Sequence, residues 1–286
     1  MVYNISCNKI VIKTSAPSGG GETVVLMVKL VVLDMDGTVL KKGEKRISKE
    51  NINAVNNIYQ KGFLVCFASG RSYYELLRLT ESLSFSPVYA AFDGAFVRND
   101  DCVLKKNPID KNDILCIFSV LKNYDFAGAE FCGEYFSYIY GMPDFIDFMR
   151  GQRENQVKEI SCVNEIEKSV YKITVFLKDG NAYVKKAVKN ALKSSCRIAY
   201  DGALEMEIVR SCADKKSAAD AVKKAFLKPG DAILAAGDSE NDLNLLKSAA
   251  CSIAMDTANL HIKNICNYTI KNISEIENIL KNYQTV

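Results

Sequence analysis

Residues 30–40 read LVVLDMDGTVL, an apolar run that heads straight into two aspartates one residue apart. Leucine and valine without polar alternation suit a strand buried on both faces, as in a parallel sheet. Asp34 and Asp36 then stand at its carboxyl end, where like charges repel unless a cation or a reaction holds them. Two more junctions share this form. Ser69, Gly70 and Arg71 close and follow the buried run FLVCFAS at 63–69, and Gly237, Asp238, Asn241 and Asp242 close and follow AILAAGD at 232–238. Ligands of an open α/β sheet bind outside the carboxyl ends of its strands. Three strands are thus expected to deliver these polar residues to one edge.

Outward from that stretch the chain alternates strand and helix. Ser48 is placed to cap a helix whose apolar residues Ile52, Val55, Ile58 and Tyr59 recur at helical spacing, with Gly62 at its end. SYYELLRLTESL at 72–83 reads as a helix and VYAAF at 88–92 as a strand, with a turn at Asp93–Gly94. The rhythm returns late: helix 215–227, strand 232–238, helix 240–250, strand 251–255 and further helices beyond. This alternation predicts a doubly wound, Rossmann-like α/β core with a parallel sheet. From about 109 to 198 the strands carry more aromatics and some alternate, which predicts a smaller inserted α+β unit. The expected organisation is a core of residues 27–108 and 199–286, an insert at 109–198, and an N-terminal extension at 1–26. TSAPSGGGE at 14–22 reads as a flexible segment, with Met27 opening the fold. An extra edge strand at 9–13 is the alternative.

Composition narrows the function. The 286 residues are 48% hydrophobic and 25% charged with net charge +3, too mild a balance for a nucleic-acid protein. None of the ten cysteines forms a CxxC pair, so scattered thiols in a reducing compartment are expected rather than a disulfide framework or zinc site. The apolar run at 24–33 contains Lys29 and is too short to span a membrane. The first ten residues lack the pattern of a secretory signal. These features together indicate a cytoplasmic protein with neither nucleic acid nor membrane as partner; a monomer or weak homo-oligomer is the expected state. An EF-hand reading of Asp34 fails, because its sixth position is Val39 and its twelfth is Lys45. His261 is the only histidine, which argues against histidine-dependent hydrolysis. GGG at 19–21 lacks the GK[ST] of a phosphate loop.

Asp34, Asp36 and Asp238 at one edge need a cation, and a hard divalent ion such as Mg2+ takes oxygen ligands of this kind. A phosphoryl group would also need donors, which backbone amides after Asp34, the Ser69 hydroxyl and a lysine can supply. DMDGT at 34–38, SGR at 69–71, a lysine before a helix and GDSENDLNLL at 237–246, in this order, resemble the haloacid dehalogenase superfamily. Later details are similar to its Cof-type phosphatases, which carry an α/β (C2-type) cap between the second and third motifs.

The resemblance implies an enzyme that hydrolyses small phosphomonoesters, sugar phosphates foremost, with Mg2+ and an aspartyl-phosphate. It implies Asp34 as nucleophile, Asp36 as acid and then base, and Lys215 as the charge-balancing lysine. Asp34, the Asp36 backbone carbonyl and Asp238 would hold the metal. Ser69, Gly70, Arg71 and Asn241 would contact substrate, Asp242 would orient the lysine or the metal's waters, and Gly37 and Thr38 would shape the turn. Lys215 takes the lysine register, which leaves Lys216 where the family has glycine. Asp93 and Thr257 stand where it usually has asparagine. A phosphomannomutase-like phosphomutase, or a non-catalytic module binding a phosphorylated ligand, are the alternative functions.

Overall fold

The structure is a computed structural model that describes residues 3–6, 9–13, 23–153, 157–192 and 194–281. β1 (Tyr3–Ser6) and β2 (Lys9–Lys13) form an antiparallel pair, and β2 continues onto the start of β3 (Thr23–Asp34). The strand carrying LVVLD therefore opens at Thr23, before Met27, and β2 pairs antiparallel with its residues 23–26. The flexible reading of 14–22 falls outside the described residues. α1 (Lys49–Gln60) follows, capped as expected by the Ser48 side chain, which accepts from the Asn51 amide. Then come β4 (Leu64–Ala68), α2 (Tyr73–Leu79), β5 (Val88–Ala91), β6 (Phe96–Arg98) and β7 (Val103–Lys106).

β3, β4 and β5 pair in parallel, whereas β5, β6 and β7 turn back antiparallel. Burial follows strand alternation. Val31 and Leu33 of β3, with Val65 and Phe67 of β4, enter one core cluster. Leu30, Val32, Cys66 and Ala68 enter another on the opposite face. Both faces are covered, which is why these strands lack polar alternation.

The middle of the chain builds a second sheet. Its strands are β8 (Gly128–Cys132), β9 (Ser137–Gly141), β10 (Val157–Glu159), β11 (Lys172–Phe176), β12 (Cys196–Asp201) and β13 (Glu205–Arg210), in the order β10-β9-β8-β11-β13-β12. α3 (Lys111–Leu121) and α5 (Ala182–Ala191) cover one face through Ile117, Phe118, Val184 and Val188, which pack with Phe131, Ile173 and Ile208. α4 (Pro143–Arg153) lies on the other face, with Phe145 and Met149 against Ile139. β12 and β13 belong to this sheet by pairing, so the expected return to the first unit at residue 199 falls inside a strand. The crossing comes after Arg210. Sheet pairing sets that boundary, and two short strands do not announce their partners.

α6 (Lys215–Phe226) resumes the first unit. β14 (Asp231–Gly237), α7 (Leu243–Ser248), β15 (Cys251–Met255), α8 (Leu260–Ile265), β16 (Tyr268–Ile270) and α9 (Ile276–Lys281) complete it. The first sheet runs β16-β15-β14-β3-β4-β5-β6-β7. β14 pairs beside β3, so strands far apart in sequence end at one edge. Among the described residues, no helix is long and apolar enough to cross a membrane.

Phe67 is wholly buried in the larger core cluster. Phe67→Ala is expected to cost about 3–5 kcal/mol, read as a lower urea midpoint with little change in slope. A shift below about 1 kcal/mol would show that the site collapses around the gap.

Candidate active site

Asp34 is the last residue of β3 and only 4% exposed. Facing it is Lys215, the first residue of α6 and 1% exposed. The Lys215 ammonium donates to Asp34 Oδ1 at 2.6 Å and Asp242 Oδ1 at 2.7 Å, with Asn241 Oδ1 at 3.4 Å. Asp242 is engaged on both sides. Its Oδ2 accepts from the amides of Asp238 and Ser239, each at 3.1 Å. Lys216, one residue on, turns outward and pairs with Asp220. Helical geometry separates adjacent residues by about 100° around the axis, so only one of the two lysines can enter the pocket.

Tight backbone packing brings these groups together. Gly37 has φ +85°, and a Cβ there would lie 2.2 Å from Asp238 Oδ2. A side chain at Gly237 would meet the Asp242 carboxyl carbon at 2.5 Å. Both close approaches require glycine. Thr38 is buried at the same turn.

Asp34, Asp238 and Asp242 each offer an oxygen such that the three atoms lie within 4.8 Å of one another. Asp34 Oδ2 and Asp238 Oδ1 are buried without a hydrogen-bond partner. These orphaned oxygens beside an all-carboxylate donor set fit a hard divalent cation. Asp242 is the poorer ligand of the three, because its oxygens are taken by Lys215 and two amides. The carboxylate of Asp36 lies outside this cluster. It is half-exposed and accepts from Arg71 Nε at 2.8 Å and Arg71 Nη2 at 2.7 Å.

The electrostatics follow from that crowding. Burial pushes the Asp34 carboxyl up to about 8; the Asp242 and Asp238 charges add to the rise and Lys215 opposes it. Asp238 is raised as well, by burial and by Asp242. For Lys215, burial favours the neutral amine, but Asp242, Asp34 and Asp93 outweigh it and hold the group above its ordinary value. One ammonium cannot neutralise several neighbouring carboxylates, so a proton is retained where no metal is bound.

The second strand end contributes its expected residues. Ser69 is 1% exposed, and its hydroxyl oxygen accepts from the Arg71 amide at 3.1 Å. The carbonyl of Gly70 accepts from Lys172 of β11 at 3.1 Å. Asp93 joins from the end of β5. It is buried at φ +53°, and the Asn241 amide reaches its Oδ1 at 3.4 Å. Thr257 is exposed in the turn after β15 and stands apart from these contacts. Asp93, expected as a turn residue and as a departure from the family's asparagine, thus stands with the site residues, and its place at a strand end was a usable signal. Lys172, a single cation in YKITVF, is singled out by no spacing rule.

Beside Arg71 opens a cavity of about 280 Å³, walled by Tyr74 and Arg78 of α2, Tyr135, and Glu130, Lys172 and Gln152 of the second unit. The inserted unit therefore walls a cavity beside Arg71, the residue that holds the Asp36 carboxylate, as a cap.

Comparison with known proteins agrees with this architecture. Residues 31–281 match the haloacid dehalogenase-like hydrolase family. The chain is 27% identical over 271 residues to 5-amino-6-(5-phospho-D-ribitylamino)uracil phosphatase YitU of Bacillus subtilis, over 89% of this chain and 97% of that protein. A solved structure from Eubacterium rectale shares the fold with TM-score 0.78 at 21% identity, over 90% of this chain and 100% of that one. A haloacid dehalogenase subclass IIB sugar phosphatase shares it with TM-score 0.67 at 19% identity, over 89% and 97%. The chain belongs to the haloacid dehalogenase-like hydrolases. Within that family it is a Cof-type phosphatase with a Rossmann-like core and a cap.

The raised Asp34 carboxyl has a consequence for stability. A group that binds its proton more tightly folded than unfolded loses stabilisation as pH rises through its folded value. Asp34 is pushed from 3.8 to about 8, so chelator-treated protein is expected to melt at lower temperature at pH 8 than at pH 6. Equal melting temperatures, read by calorimetry, would show that the carboxylates carry no such excess charge.

Proposed function

We propose that the chain hydrolyses small phosphomonoesters, sugar phosphates foremost, through an aspartyl-phosphate on Asp34 and with Mg2+ as cofactor. The observation that carries this reading is the split environment of Asp34. Its Oδ1 is held by Lys215 while its Oδ2 is buried and unpartnered. A carboxylate fixed by one oxygen, with the other left free at a strand end, is suited to attack phosphorus.

In this reading an Asp34 oxygen forms a bond to phosphorus as the ester oxygen leaves. Asp36 gives that oxygen its proton. Water then attacks the phosphorus of the aspartyl-phosphate, Asp36 takes the water's proton, and the Asp34–phosphate bond breaks to release inorganic phosphate. Arg71 orients Asp36 through its two-pronged contact. The Ser69 hydroxyl and the amides of the 36–38 turn face the transferring oxygens, and Lys215 offsets the charge of Asp34. Asn241 and Asp242 hold Lys215 in place. Asp34, Asp238 and the Asp36 backbone carbonyl would hold Mg2+, which supplies positive charge that draws together the carboxylates and the phosphoryl oxygens.

Support for the substrate class comes from two sides. The Bacillus subtilis relative is named for a phosphorylated ribitylaminouracil and one fold neighbour for sugar phosphates. The cavity here offers Glu130, Arg78, Gln152 and Tyr74, donors and acceptors suited to a hydroxylated leaving group. Cys66, Cys102, Cys116, Cys162, Cys196, Cys212 and Cys266 are free thiols, which supports a reducing compartment, the cytoplasm.

Phosphate release from a panel of sugar phosphates, nucleotides and an aryl phosphate tests this. Turnover is expected with Mg2+ and lost with chelator. Asp34→Asn is expected to lower it by at least about a thousandfold, and Asp36→Asn by about a hundred- to ten-thousandfold. Transfer to a second hydroxyl without free phosphate would replace hydrolysis by a mutase. Folded, Mg2+-loaded protein that binds phosphate but turns over nothing would replace it by a binding module.

A further inference from the structure

Lys172 has no part in the reaction as described, yet it joins the cap to the loop that carries Ser69. Its ammonium donates to Glu207 Oε1 of β13 at 2.6 Å and to the Gly70 carbonyl at 3.1 Å. The side chain is only 12% exposed, and that of Glu207 24%. Just before it, Tyr171 stacks on Phe92 of the core with ring centroids 5.2 Å apart. The start of β11 is therefore wedged against the two loops that close β4 and β5.

The carbonyls of the Ser69–Arg71 loop show what Lys172 adds. Ser69 O accepts from the Asp93 amide and Arg71 O from the Phe92 amide, each at 2.9 Å. The core thus holds the first and third carbonyls. The middle one, Gly70 O, is held by the cap through Lys172. Gly70 O belongs to the same peptide group as the Arg71 N–H, and that N–H donates to Ser69 Oγ. An ammonium on the carbonyl end polarises the peptide and strengthens the donor at its other end. With a lone pair of Ser69 Oγ occupied in this way, the hydroxyl proton is left to point outward.

We infer that Lys172 is a positioning residue, which sets the Gly70–Arg71 peptide from the cap and through it aims the Ser69 hydroxyl at the phosphoryl group. This rests on the phosphatase reading and deepens it. The phosphate-binding loop reaches its working geometry with the cap in place, so Lys172 carries cap docking to the Ser69 hydroxyl.

The test compares Lys172→Met and Lys172→Arg, each in native and Ser69→Ala backgrounds, with MgCl2 present. The readouts are kcat/KM on an aryl phosphate and a sugar phosphate, and calorimetric binding of inorganic phosphate. Lys172→Met is expected to weaken phosphate binding and aryl phosphate turnover by about tenfold, the scale of one lost hydrogen bond to a charged group. Lys172→Arg should recover part of this. In the Ser69→Ala background the same change should cost less than about threefold, because the two residues act in series. Equal losses in both backgrounds would overturn the inference. So would a loss confined to the sugar phosphate, which would make Lys172 a leaving-group contact, or a lower melting temperature with phosphate binding unchanged. If the native protein turned over no ester, the function would fall, while phosphate binding would still decide the role of Lys172.

Discussion

A single buried ammonium among carboxylates governs this molecule. Lys215 contacts Asp34 and Asp242 directly, and Asp238 lies in the same cluster. Burying that much like charge is costly unless every group finds a partner. The fold meets part of the need with Lys215 and with the two amides that bind Asp242. Two carboxylate oxygens are left over. The arrangement is therefore incomplete as a purely structural salt bridge and suited to a cation and a phosphoryl group.

The sheet order makes this cluster possible. β3 and β14 are neighbours in parallel, so their carboxyl ends place Asp34 and Asp238 side by side although they lie far apart in sequence. α6 starts beside them and delivers Lys215 from its first turn. Coverage of both sheet faces holds these ends rigid, since alternate residues of β3 and β4 feed separate core clusters. Close-packed strands of this kind have little room to shift. The glycines at 37 and 237 then let backbone and carboxylate approach closer than any side chain would allow.

The cap brings a different kind of order. Its outer face is an apolar core of its own, built by α3 and α5 on the second sheet. Its other face is divided between the apolar packing of α4 on Ile139 and a polar part, where Glu130 and Lys172 line the cavity beside Arg71. Contacts between the two units are apolar as well as polar, and Cys132, Tyr171 and Val209 of the second sheet enter the larger core cluster beside Phe92 and Phe96. Tyr171 stacks on Phe92, the Tyr74 amide donates to the Glu134 carbonyl, and Lys172 reaches Gly70.

Local order was legible in the chain because neighbouring residues determine it. The unbroken apolar runs ending in Asp34, Ser69 and Asp238 announced buried parallel strands, and Ser48 announced its helix cap. Their shared polar ends placed the site on one edge, since strand ends in such a sheet converge. What lay beyond reach depends on partners distant in sequence. The strands at 196–201 and 205–210 pair with β11, so the cap extends further than composition suggested. Helix phase in three dimensions sent Lys215 inward and Lys216 to Asp220. The carboxylate of Asp36 turned to Arg71, away from the cluster its spacing had suggested. Lys172 found Gly70, 102 positions away in the chain. Residue spacing encodes which face a side chain occupies, but only the packed chain decides which charge it meets there.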